Sequence, residues 1–290
     1  MSGIRSHSSA LGALLVLGLA VLGVYIYKNS ALLVQIRQNF MHFMVGQETN
    51  LRTGNWEQLQ TEHFVIKYLP VDAEGIKLVA ETSEKAYTLV SDSLGQQPAD
   101  RPTTILVYPD NKSLAASFGW DKNEKALGVY WGGTIRILSP RAWLSDLGQQ
   151  EQFTREGPMV HEFTHLMVDE MTRGNYNRWW TEGVAQYTER KITGFVFANP
   201  FTGGQKFNYY TLENMEKNFD RLDQAVAYWE SLKAVDFIAN RYGEDKIYLI
   251  LRYQGNGDSM SKAIEEALGN DYQTFAGDFY KYLENNWARC

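Results

Sequence analysis

Two histidines four residues apart, with a glutamate between them, are the residues of this chain best suited to chemistry: His161-Glu162-Phe163-Thr164-His165. On an α-helix that spacing stacks the two imidazoles on one face, where they can grip one metal ion. Glu162 lies about 100° round the helix from His161, within reach of a water on that ion. Two nitrogen ligands, an open coordination position and a general base make a hydrolytic zinc site. The chain has only 5 histidines, the others being His7, His42 and His63, so a chance match is improbable. The plainer reading is a helix that carries two hydrogen-bonded histidines.

A third protein ligand is needed if one zinc position is to stay open for water. Glu182, in Trp179-Trp180-Thr181-Glu182-Gly183-Val184-Ala185-Gln186-Tyr187, is the candidate, 17 residues after His165. That interval holds the end of one helix, a turn at Arg173-Gly174-Asn175 and the start of a second helix. Gly183 and Ala185 are small enough to let the two helices approach closely. The plainer reading of Glu182 is a solvated carboxylate at a helix start, favoured by the helix dipole.

Together these two stretches resemble the gluzincin metallopeptidases, in particular the peptidase MA-like group related to the M1 aminopeptidases. The resemblance implies that His161, His165 and Glu182 bind Zn2+ and that Glu162 is the catalytic base. It extends from about Glu62 to the C-terminus, although only the two motifs are specific. No G-x-M-E-N stretch of the exopeptidase type lies upstream, so aminopeptidase specificity is not carried over. The fold it implies is α+β and zincin-like: a small mixed sheet with the active-site helix at 59–191, then a helical part at 192–290.

The elements that would position these residues are legible in the periodicity. Glu62–Tyr68 alternates like a half-buried strand, and its His63 reads as structural. Asp72–Leu94 is helical by period and is stopped by Gly95; Thr103–Tyr108 is a buried strand and Asn111–Phe118 a short helix. Ala126–Trp131 and Thr134–Leu138 flank Gly132-Gly133 as a hairpin. In gluzincin-like folds the strand before the zinc helix is the sheet edge, so Thr134–Leu138 is expected to pair with a peptide substrate. The zinc helix is expected to begin near Gly157-Pro158, and Pro158 would kink it if 151–156 were helical too. Met159, Phe163, Leu166 and Met167 would face the core. Asn199-Pro200 and Gly203-Gly204 mark a loop whose aromatics Phe195, Phe197, Phe201, Phe207, Tyr209 and Tyr210 line a subsite or pack. Helices follow from about Leu222, at Glu244–Tyr253, Ser259–Leu268 and Tyr272–Asn286.

Before the globular part, a tail at 1–9 precedes Ala10–Tyr27, an uncharged run of 18 residues. As a helix it would be about 27 Å long, near the minimum for a bilayer, and it reads as an uncleaved transmembrane signal anchor. The catalytic domain is then expected outside the cytoplasm on a single-pass tether. Residues 28–58 read as a juxtamembrane helix and linker. Leu32, Leu33, Ile36, Phe40, Phe43 and Met44 would lie on the membrane surface or pack on the domain, and 46–58 would be the linker. The net charge of −6, with no basic stripe, argues against nucleic acid as a partner. Cys290 is the only cysteine, so no internal disulfide forms.

The implied reaction is peptide-bond hydrolysis, with Glu162 taking a proton from water and passing it to the leaving amine. In related enzymes a tyrosine or histidine from the helical part steadies the oxyanion. No histidine follows His165, which leaves Tyr228 as first choice and Tyr210 as reserve. Asp169 and Gln186, each one turn beyond a ligand, are placed to orient His165 and Glu182. Two other classes remain open: a non-catalytic zinc-binding domain serving as a membrane-tethered interaction module, and a tethered scaffold without metal.

Overall fold

The computed structural model describes residues 30–121, 125–202 and 207–287. The run read as a membrane anchor, Ala10–Tyr27, lies outside them, as do Gly203, Gly204 and Cys290. Among the described residues no helix is long and apolar enough to cross a membrane.

The chain enters as α1 (Ser30–Arg52). This helix runs on through Gly46 and Asn50, most of the stretch read as linker. Val45 and Thr49 are buried on its inner face, which offsets a helical glycine's cost of about 1 kcal/mol. Next come β1 (Glu57–Gln60), β2 (Phe64–Tyr68), α2 (Ala73–Leu94) and β3 (Thr103–Tyr108). After α3 (Asn111–Phe118) the chain makes the hairpin β4 (Gly128–Trp131) and β5 (Thr134–Leu138). α2 stops at Gly95, which adopts the left-handed conformation (φ 62°) that a glycine takes without steric cost. His63 is structural: its Nδ1 lies 2.6 Å from Glu84 Oε2 and its ring stacks on Tyr87.

The five strands form one mixed sheet in the order β1-β2-β3-β5-β4. β2, β3 and β5 are parallel neighbours, whereas β1 and β4 are antiparallel strands at the two edges. This corrects the expectation for Thr134–Leu138. Every residue of β5 is buried, and the strand lies between β3 and β4, so it is not an edge. The turn at Gly132 and Gly133, both at positive φ, folds β5 back along β4, and because β5 pairs with β3 on its other side, β4 is the edge strand. Arg136 stands at the centre of β5. It is buried, and its guanidinium bonds Ser117 O and Glu48 of α1.

α4 (Gln150–Glu156) and α5 (Met159–Thr172) are separate helices, because Gly157 is extended between them (φ −78°, ψ 160°). Pro158 therefore kinks neither and stands just before α5, where its missing N–H is harmless. Then come α6 (Arg178–Thr193), α7 (Leu212–Asn218), α8 (Gln224–Tyr242), α9 (Asp245–Gly255), α10 (Met260–Leu268) and α11 (Tyr272–Asn286). The core is continuous from Phe64, Ile66, Ile105 and Ile135 of the sheet, through Phe163 and Met167 of α5, to Trp179, Trp180 and Val235 in the helical part. α6 and α8 meet closely at Gly183, where a Cβ would stand 2.4 Å from the Ser231 carbonyl oxygen. Only glycine permits that approach.

Candidate active site

α5 packs against β4 and β5 of the sheet and against α6, and the candidate side chains of the two helices meet between them. His161 and His165 are each 9 % exposed. Their Nε2 atoms each lie 3.4 Å from Oε2 of Glu182 on α6. One ligand atom from each of these three residues falls within 4.8 Å of the others. The outward nitrogens are already engaged. His161 Nδ1 lies 3.0 Å from Glu189 Oε2, and His165 Nδ1 lies 2.7 Å from the Thr181 hydroxyl. Such partners fix ring orientation and leave the opposite nitrogen free to bind.

Glu182 is held by its other oxygen. Oε1 accepts Arg178 Nε at 2.8 Å and the Tyr228 hydroxyl at 3.0 Å, while Oε2 is buried without a hydrogen-bond partner. A buried carboxylate oxygen left unpaired is costly. Here it faces two imidazole nitrogens, and an N2O donor set with one oxygen wanting a cation suits zinc. Burial pushes the Glu182 pKa up, but His165, His161 and Arg178 together hold it well below the usual carboxylate range. Burial lowers the pKa of His161, and the carboxylates of Glu182 and Glu189 outweigh it and hold the ring well above its ordinary value.

Glu162 lies beneath the edge strand. Its Oε2 accepts the Tyr130 N–H of β4 at 2.6 Å. A Cβ on Gly128 would stand 2.8 Å from Glu162 Cγ, so β4 lies directly on the side chain. Burial raises the Glu162 pKa against the pull of His161 and His165, with Glu182 adding to the rise.

Tyr228 of α8 stands in the site, its hydroxyl bonded to Glu182 and reached by Arg178 Nη2 at 3.3 Å. Tyr210 does not reach these groups: its hydroxyl accepts the Asp223 N–H at the start of α8. Asp169 does not orient His165. One turn further along α5 its carboxylate points at α1 and β4, where it pairs with His42 Nε2 (2.8 Å) and the Tyr130 hydroxyl (2.7 Å). Gln186 donates to the backbone carbonyls of Glu182 and Tyr228, bracing the two helices rather than the ligand carboxylate. In the following loop, Phe197 is 45 % exposed with its ring 6.2 Å from His161, so it walls the cleft. Phe201 and Phe207 instead pack on Trp229.

Four contributors escaped the sequence reading: Glu189, Thr181, Arg178 and the Tyr130 N–H. Periodicity held a signal for two of them. Arg178 is one turn before Glu182 and Glu189 two turns after it, all on one face of α6.

A family model described as Peptidase MA superfamily matches residues 82–285, and the chain belongs to that superfamily. The domain is therefore peptidase-like, with the mixed α+β architecture described above. No curated protein matches the chain.

Proposed function

We propose, from membership of the Peptidase MA superfamily and from this site, that the protein is a zinc-dependent peptidase with His161, His165 and Glu182 as ligands. The observation that carries the reading is the convergence of two Nε2 atoms on one buried carboxylate oxygen. Zinc held there would supply a Lewis acid that activates water near neutral pH and polarises the scissile carbonyl. Glu162 serves as general base and then acid. Its raised proton affinity suits both halves of that role, and the Tyr130 N–H keeps it from swinging away. Tyr228 is assigned as donor to the carbonyl oxygen as charge grows there. The outer edge of β4, whose Tyr130 N–H holds Glu162, is the surface along which an extended peptide would pair. The uncharged run Ala10–Tyr27 supports a single-pass anchor with the peptidase domain outside the cytoplasm.

The test is Glu162→Gln, with zinc content and digestion of a peptide library followed in parallel. Zinc should be retained while hydrolysis falls by about 10²–10⁴-fold. If the variant digests peptides as fast as the parent, Glu162 is not the base. If neither protein digests anything yet both hold zinc, the domain is a non-catalytic metal-bearing interaction module.

A further inference from the structure

Only one face of α1 is used by the domain. Gln38, His42, Val45 and Thr49 turn inward. Gln38 donates to the Asp169 carbonyl, His42 pairs with the Asp169 carboxylate, and Val45 abuts the turn at Gly132. The opposite side carries Leu33, Ile36, Phe40, Phe43, Met44 and Leu51, all exposed. At 100° per residue these six fall within an arc of about 100°, an apolar stripe interrupted by Gln47. Phe40 and Phe43 are each 60 % exposed, more than scattered surface apolar residues would explain when aligned like this. α1 is about 35 Å long, yet Arg37, Glu48 and Arg52 keep it from being a span.

What covers this face follows from where the chain comes from. The uncharged run Ala10–Tyr27 stops three positions before α1 begins at Ser30. A run held in a bilayer would deliver α1 at the surface of that bilayer, with no room for a spacer. Arg37, exposed at the flank of the stripe, stands where lipid phosphates would be. We infer that the outward face of α1 lies in the headgroup–acyl boundary of a phospholipid bilayer, its axis along the surface, so that the domain is held flush rather than on a loose stalk. This rests on the anchor reading of Ala10–Tyr27 and is independent of the zinc reading.

The experiment uses the full chain in vesicles of phosphatidylcholine and phosphatidylglycerol, with Cys290→Ser as background. Spin labels are placed singly through Phe40→Cys and Phe43→Cys on α1, and through Glu266→Cys on exposed α10 as a reference. Collision rates with oxygen and with a water-soluble nickel chelate are then compared. At 40 and 43 oxygen should exceed the chelate severalfold, and at 266 the ratio should invert. The inference is overturned if 40 and 43 behave like 266. It is equally overturned if their spectra broaden and then sharpen on dilution with unlabelled protein, which means a second copy covers the stripe. Labels closed to both reagents without broadening would mean that the chain's own apolar run folds back on it, and that too overturns it. Flotation after an alkaline wash reads the anchor separately. Protein that floats with water-exposed labels sinks this inference alone, whereas protein left behind sinks both.

Discussion

At the scale of single residues, the proposed ligand His161 is in an environment that favours its protonated form. His161 sits between Glu182 and Glu189, whose carboxylates outweigh the effect of burial and hold its pKa well above the ordinary value. Zinc can bind Nε2 only once that proton has left, so apparent affinity should rise as pH climbs through neutrality, by up to tenfold per pH unit. Competition with a chromophoric chelator at about pH 6 and pH 8 measures this, and Glu189→Gln should shrink the difference. A second buried acid sits apart from the chemistry. Glu230 is fully buried, with one oxygen taking the Tyr210 N–H at 2.9 Å and the other unpaired. Burial raises its pKa from 4.5 to about 8. The folded chain therefore keeps a proton that the unfolded chain gives up, and this contribution to stability is lost as pH rises from about 4.5 to about 8. Glu230→Gln should flatten the melting temperature across that window. A slope unchanged from the parent would assign the effect to other groups.

At the scale of elements, helix contacts set the site's dimensions. Gly183 follows the proposed ligand Glu182, and Ser231 lies one turn beyond Tyr228, so the contact that a methyl would break is the one that brings Tyr228 to Glu182. Gly183→Ala should cost about 1–3 kcal/mol in denaturant unfolding and weaken zinc binding as well. Gly128→Ala acts on the other wall. It would push Glu162 off its Tyr130 N–H, lowering kcat while zinc content stays near that of the parent. Individual elements were legible in the sequence because their caps and periods are local: Gly95 ends α2, and Thr103–Tyr108 is one apolar run. Lateral order was not legible. The hairpin signal shows two strands but not which lies outside, and Arg136, buried against α1 and α3, imitates a solvent-facing residue. The three converging side chains were readable from spacing. Their outer partners were not, because whether Thr181 and Glu189 meet the imidazoles depends on how α6 is rotated against α5.

At the scale of the whole molecule, the folded unit is larger than the span shared with the family. The match begins at residue 82, yet β1 and β2 precede it, and β2 pairs in full register with β3. A chain started at residue 82 would lack two of five sheet strands and the first turns of α2, and should fail to give a cooperative unfolding transition. α1 belongs to the same unit, because the Asp169 carboxylate joins His42 of α1 to Tyr130 of β4, whose own N–H holds Glu162. His42→Ala should therefore slow hydrolysis severalfold without releasing zinc, and unaltered kcat would show that the connection carries no load. The position of α1 also bears on which substrates can fit. It lies against the glycine turn that closes β4, two residues past Tyr130 and so roughly 7 Å along the strand. For a peptide paired with β4, the turn braced by Val45 and His42 of α1 would mark one end of the contact.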